Sequence, residues 1–166
     1  MAIWQQGMIV IPAVWDILPK PNKDLHFEYE EAWRTLNIDH KKFVEEIDSF
    51  IPRADWVNSK VHFSWKGNTE NKEDNDIDLC IDPELGIIIS LVFRFDLRTD
   101  SPYFLEKIFG LCNENGWKLE TFGGKLFQPD ISIIPEVIKQ SAWREFLSDP
   151  EAFVEKIKDE PWNKKE

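Results

Sequence analysis

Cysteine is scarce in this sequence, because Cys80 and Cys112 are the only two among 166 residues and they do not form a CxxC pair. A disulfide framework needs several cysteine pairs, and a structural zinc site needs clustered Cys or His ligands. We therefore expect two reduced thiols. Long apolar runs are also lacking: the run from Met8 to Trp15 is far shorter than the ~20 residues that span a membrane, and Pro12 interrupts it. The expected location is the cytoplasm.

Basic residues are fewer than acidic ones. The chain has 20 Lys and Arg against 31 Asp and Glu, which gives a formal charge of −11. Such a charge repels phosphate backbones and anionic lipids, so neither nucleic acid nor a membrane surface is an expected partner. The same charge would attract a basic protein, although an acidic balance also simply favours solubility.

The length fits one domain that spans residues 1–166, with a frayed tail from about residue 160. Eight Trp and twelve Phe supply ample apolar area for one core. Strands are predicted over 7–15 and 117–122, and alternating apolar residues predict three more: 61–65, 76–82 and 87–97. The last two are predicted to form a hairpin, and the odd-numbered residues of all three strands, including Ile87 and Ile89, are predicted to face the core. Arg94, on the other face, should approach Asp74 or Asp76.

Helical spacing of apolar residues predicts helices on both sides of these strands. Phe27–Leu36 comes first, followed by a second helix that Asp39 caps. A third helix after Pro102 ends at Asn115–Gly116, and a single helix over Pro135–Leu147 precedes the last one. The element order indicates an α+β fold, in which an antiparallel-dominated sheet of four to five strands carries helices on one face.

The segment from Glu70 to Glu84 is densely acidic, and its Asp-x-Asp-x-Asp core begins at Asp74. That core is similar to the start of a calcium loop, but Leu79 and Leu85 stand where such a loop needs Gly and Glu. We therefore expect no metal ion and no cofactor. Two other interpretations stay open: a solvated sheet face, or a recognition surface for a basic protein.

No catalytic residue can be assigned from the sequence, so an enzyme is the less favoured class. Cys80 lies beside aspartates, which raise rather than lower the pKa of a thiol. Cys112 falls on the inward face of a helix. His62 could be brought near the aspartates as a base, but such a histidine is more often a surface residue.

The C-terminal half resembles small acidic immunity proteins of bacterial toxin systems and uncharacterised domains related to them. The resemblance is carried by the strand end Phe93-Arg94-Phe95-Asp96-Leu97-Arg98, the Ser-Pro helix after it, the Gly-Gly turn, and the segment Ser141-Ala142-Trp143-Arg144-Glu145-Phe146-Leu147-Ser148-Asp149-Pro150. It covers about a third of the chain. It implies a cytoplasmic protein that occludes a toxin and performs no chemistry.

Three functional hypotheses follow. The first is a non-enzymatic binding protein, an inhibitor or immunity protein of a basic partner, whose predicted partner-binding residues are Asp74, Asp76, Asp78, Asp82, Glu84 and Arg94. The second is an enzyme or small-ligand-binding domain with a cleft around His62, Asp76, Asp78 and Arg94. The third is a domain that self-associates as a homodimer through its uncovered sheet face.

The failed calcium loop generates a first prediction. The melting temperature should be the same in a chelator and in millimolar calcium, because no ligand set is present to bind the ion. A site filled at a hundred times its dissociation constant would add ~2.7 kcal/mol and raise the melting temperature by several degrees. Thermal unfolding in the two buffers measures this, and such a rise would contradict the prediction.

Overall fold

The computed structural model describes residues 4–14, 25–67, 73–98, 102–122, 124–139 and 141–158. Within these ranges the chain forms β1 (Gln5–Ile11), α1 (Leu25–Leu36), α2 (His40–Asp48), β2 (His62–Lys66), β3 (Asp76–Ile81), β4 (Ile88–Asp96), α3 (Tyr103–Glu114), β5 (Lys118–Thr121), β6 (Leu126–Phe127), α4 (Ile134–Lys139), α5 (Ala142–Ser148) and α6 (Pro150–Lys158). The expected frayed tail from about residue 160 lies outside these ranges. No helix in them is both long and apolar enough to cross a membrane.

The strands form one sheet in the order β2-β3-β4-β1-β5-β6, and every neighbouring pair is antiparallel. The predicted α+β class with an antiparallel sheet is therefore confirmed. The sheet has six strands rather than the expected four to five. The sixth is β6, which is only two residues long and carries no alternating pattern to reveal it.

One face of the sheet carries the main core. Its buried strand residues include Met8, Val10, Trp65, Ile77, Leu79, Leu91, Phe93 and Phe95, which pack with apolar residues of α2 and α3. Trp33 of α1 and Trp117 before β5 are each 1% exposed and meet edge to face, with ring centroids 4.8 Å apart. The prediction that odd-numbered residues of β2 and β3 face the core is confirmed at Trp65, Ile77 and Leu79.

Helix α1 also reaches the opposite face of the sheet. Its Tyr29 and Ala32 form a second small cluster with Ile11, and Ile9 packs against that cluster. Side chains alternate along a strand, so Ile9 and Ile11 point away from Met8 and Val10. Helix α1 therefore covers one end of the opposite face, while the polar residues at the other end keep part of their surface in solvent.

At the start of β4, the residue that faces the core is not the one predicted. Ile88 is fully buried, whereas Ile89, predicted to face the core, is only half-buried. The cause is a β-bulge, because Cys80 pairs with Ser90 but Ile81 pairs with Ile88. One extra residue on β4 reverses the alternation there, which a strict period of two cannot anticipate.

Helix limits follow local capping groups. Asp39 caps α2 as predicted, its carboxylate accepting a hydrogen bond from the Lys41 amide at 2.9 Å. Gly116 takes the left-handed conformation (φ 68°) after α3. The single helix predicted over Pro135–Leu147 is wrong: α4 and α5 are separate, because the Ser141 hydroxyl accepts a hydrogen bond from the Arg144 amide and starts a new helix.

The outer edge of β2 is occupied by the chain itself. The Ala54 amide donates to the Ser64 carbonyl at 2.9 Å, and the Lys66 amide donates to the Pro52 carbonyl at 3.0 Å. The His62 amide donates to the Ser59 hydroxyl at 3.1 Å. Segment 52–54 therefore lies beside β2 and forms hydrogen bonds with backbone groups on its outer edge.

The bulge leads to a second prediction. Ile88→Ala should lower the free energy of unfolding by about 2–5 kcal/mol, because it removes a fully buried side chain. Ile89→Ala should cost about 1 kcal/mol, since that side chain is already partly in water. Urea denaturation of both variants measures the difference. An equal cost, or a larger one for Ile89→Ala, would mean that β4 keeps its alternation without the bulge.

Candidate functional site

The opposite face of β2, β3 and β4 carries a connected set of polar side chains, which we call the polar face. It comprises His62, Ser64, Lys66, Asp74, Asp76, Asp78, Arg94, Asp96 and Arg98. In the strand register Lys66 lies opposite Asp76, Asp76 opposite Arg94, and Arg94 opposite Gly7. Residues opposite each other in an antiparallel pair project from the same side, so these positions form one row across four strands.

Arg94 lies at the centre of the polar face. Its Nε donates to one carboxylate oxygen of Asp76, and its Nη2 donates to Asp78 at 2.9 Å. The two aspartates are two residues apart on β3 and would otherwise repel each other. The predicted approach of Arg94 to Asp76 is confirmed, and the second contact, with Asp78, was not foreseen.

Other donors hold the remaining aspartates. Lys66 contacts Asp74 and lies 3.5 Å from Asp76. Trp4 Nε1 donates to Asp74 at 2.8 Å, and Gln5 Nε2 donates to Asp76 at 3.0 Å. The side chain of Asp76 is only 9% exposed, so this carboxylate is nearly enclosed by its partners.

Asp96 and Arg98 extend the network toward the N-terminal strand. Arg98 donates to both carboxylate oxygens of Asp96, at 2.9 and 2.7 Å, and its guanidinium lies 4.3 Å from the Trp4 ring centroid. Sequence reasoning did not select these residues as site residues. The even-numbered alternation of β4 places Asp96 and Arg98 on this face, but nothing in the local pattern signals Trp4 or Gln5.

Two of the predicted partner-binding residues lie elsewhere. Asp82 follows β3, roughly 20 Å from Asp76 at ~3.3 Å per strand residue. Its carboxylate accepts hydrogen bonds from the Glu84 and Leu85 amides at 2.8 and 2.9 Å and pairs with Arg34. Glu84 is exposed in the same turn. The structure therefore brings together Asp74, Asp76, Asp78 and Arg94, but not Asp82 or Glu84.

The residues named for an enzyme cleft also meet, but in an order unsuited to nucleophilic catalysis. His62 Nε2 lies 3.1 Å from Asp78 Oδ1, and the Ser64 hydroxyl donates to that same oxygen. Activation of a serine requires that the histidine accept its proton and that the carboxylate orient the histidine. Here the hydroxyl proton goes directly to the carboxylate, so His62 cannot activate Ser64 in this arrangement.

An exposed aromatic side chain adjoins the polar face. The Phe122 ring covers Gly7, since a Cβ at Gly7 would lie 2.4 Å from that ring. Leu126 lies opposite Glu120, which lies opposite Ile9, so Leu126 projects from the same face. Phe122 is 46% exposed and Leu126 is 49% exposed. We call these two side chains the apolar margin.

The electrostatic environment lowers the pKa of Asp96 and of Asp74. Burial alone would raise the pKa of Asp96, but hydrogen bonds from Arg98 and from the Asp74 amide outweigh it and hold the pKa below its ordinary value of 3.8. Burial would also raise the pKa of Asp74, but hydrogen bonds from Lys66 and Trp4 outweigh the effect of burial and lower it. Cations and hydrogen-bond donors thus favour the charged form of both groups.

Neither thiol is activated. Burial and the nearby Asp78 raise the pKa of Cys80, and burial raises that of Cys112. Both cysteines are free, with Cys80 half-buried and Cys112 buried. Within the described ranges no three His, Cys, Asp or Glu side chains are grouped so that they could hold a metal ion.

Comparison with known proteins identifies no relative: no family model, curated protein or solved structure matches the chain.

The depressed carboxyl pKa values generate a third prediction. Their folded-state pKa lies below the unfolded-state value, so the stability they contribute is present above about pH 4 and is lost as pH falls through the folded-state pKa. The free energy of unfolding should therefore fall between pH 5 and pH 2, as denaturant titrations can measure. Asp96→Asn should flatten this fall relative to the wild type, whereas Glu45→Gln, on an exposed residue of α2, should not. A wild-type stability that stays constant or rises in acid would contradict the prediction.

Proposed function

We propose that the protein is a non-enzymatic binding protein that docks a basic partner protein on the polar face and the apolar margin, as an inhibitor or immunity protein of a cytoplasmic toxin does. The observation that carries the proposal is the exposed Phe122 ring beside the ion-paired row of Lys66, Asp76 and Arg94. Protein interfaces combine an apolar anchor with surrounding polar groups, and this face offers both.

The ion pairs hold the side chains of the polar face in place before a partner binds. Arg94 and Lys66 fix the aspartates before any partner arrives, so little side-chain freedom remains to be lost on binding. Asp78 keeps 30% of its side chain exposed, which leaves it accessible to a cation of the partner. A partner can thus pair with an aspartate whose position is already set.

The distribution of charge favours a basic partner both at long range and in direct contact. On the polar face the carboxylates of Asp74, Asp76, Asp78 and Asp96 are opposed by Lys66, Arg94 and Arg98, so most of the formal charge of −11 lies elsewhere. The whole molecule therefore attracts the partner over long distances, and the polar face supplies short-range specificity. Self-association is less favoured, because two chains of charge −11 repel each other.

A fourth prediction tests the proposal through Phe122. Phe122→Ala should raise the dissociation constant of the partner about tenfold or more, because an aromatic side chain that anchors an interface typically contributes at least that much. Tyr103→Ala is the matched control: Tyr103 is also an exposed aromatic, at 51%, but it lies on α3, which packs against the other side of the sheet. The partner is first captured from an extract of the native cell and identified, and binding of the purified protein is then measured by surface plasmon resonance.

Neutralisation of a single carboxylate adds a second comparison. Asp78→Asn and Glu45→Gln change the net charge equally, but only Asp78 lies on the polar face. Asp78→Asn should weaken binding more, and mainly through faster dissociation. The proposal fails if the captured protein is not basic, or if Phe122→Ala and Tyr103→Ala have equal effects. A chain that forms a dimer dispersed by Phe122→Ala would favour self-association instead.

A further inference from the structure

A second candidate site lies on the other side of the sheet, in a cleft of about 530 Å³ between α3 and the segment after β6. We call it the α3 cleft. Its lining includes Glu106, Gly110, Asn113, Gln128, Asp130 and Ile131. Asn113 Nδ2 donates to the Pro129 carbonyl at 2.7 Å and so holds the two walls together. Its volume falls within the usual range for ligand sites in proteins.

Gly110 leaves the floor of the α3 cleft open. It lies inside α3, where glycine is the least favourable residue apart from proline. Packing does not require a glycine there, because, apart from its chain neighbours and the backbone of α3 itself, no described atom lies within 4 Å of the position that a Cβ would take. One use of such a residue is to let a ligand approach the backbone closely.

The rim of the α3 cleft is negatively charged. Glu106 and Asp130 are both exposed carboxylates on opposite walls, and no described lining residue is a cation. Asp130 accepts a hydrogen bond from the Ser132 amide at 2.8 Å, whereas none of the described ion pairs involves Glu106. Ile131 is 39% exposed and offers an apolar surface beside these charges.

We infer that the α3 cleft binds an arginine side chain presented by a polypeptide partner. The guanidinium pairs with Glu106 and Asp130, since its planar fork matches carboxylates. The methylene stem lies over Gly110 and against Ile131, as long basic side chains do on apolar surface. This site is separate from the polar face, so it stands or falls independently of the proposed function.

A fifth prediction tests this inference with a defined probe on the full chain. The probe is an acetylated and amidated Gly-Gly-Arg-Gly-Gly peptide, and its comparison carries citrulline, the neutral isostere of arginine. Titration followed by amide chemical shifts should move the signals of residues 106–113, Gln128, Asp130 and Ile131. The citrulline peptide should bind at least about threefold more weakly, because it lacks the charge.

Variants on α3 complete the test. Glu106→Gln should weaken arginine binding about threefold, as loss of one exposed ion pair does. Glu114→Gln, an equal charge change on an exposed residue of α3 outside the cleft, should leave it unchanged. Gly110→Leu should abolish binding by filling the floor, while Phe122→Ala should have no effect. Equal binding of the two peptides, equal effects of Glu106→Gln and Glu114→Gln, or shifts confined to the polar face would each overturn the inference.

Discussion

The guanidinium of Arg94 is the group on which the polar face depends. Strand β3 carries Asp76 and Asp78 on the same side, and such neighbours repel unless a cation lies between them. Arg94 supplies it from the next strand, through separate donors to each carboxylate. Because Asp76 is nearly enclosed, loss of Arg94 would leave its carboxylate, among the described side chains, with only Lys66, at 3.5 Å, and the Gln5 side chain, and would lower the free energy of unfolding. The register of β3 against β4 therefore determines which charged side chains meet on the polar face.

Enclosed and accessible groups occupy different parts of the polar face. The enclosed members, Asp76 and Asp96, are held by Arg94 and Arg98 and contribute mainly to the folded state. Asp78 and Phe122 remain accessible and can meet a partner. The row that ends at Gly7 connects the two parts, because a glycine there lets the Phe122 ring lie directly on the sheet. A rigid charged floor thus supports an exposed aromatic ring.

Much of the fold could be predicted from the sequence, because alternation and capping are local signals. The β3–β4 hairpin, the cap at Asp39 and the contact of Arg94 with Asp76 all follow from such signals. The bulge at Ile89, the break at Ser141 and the two-residue strand β6 did not, since each depends on one local hydrogen-bonding choice within an otherwise regular pattern. In the site, Trp4 and Gln5 were missed because only tertiary structure brings the first strand beside Asp74. Asp82 was grouped with the other aspartates because a run of carboxylates does not reveal which end of a strand each one occupies.

The occupied outer edge of β2 restricts how another protein can engage this sheet. Many recognition modules add a partner's extended segment to an open strand edge and read it through backbone hydrogen bonds. Along β2 the Ser64 carbonyl and the Lys66 amide already bond to segment 52–54, and Ser59 takes the His62 amide. An incoming strand would have to displace these bonds before gaining its own. The β2 edge is therefore protected from the edge-to-edge pairing that leads to aggregation.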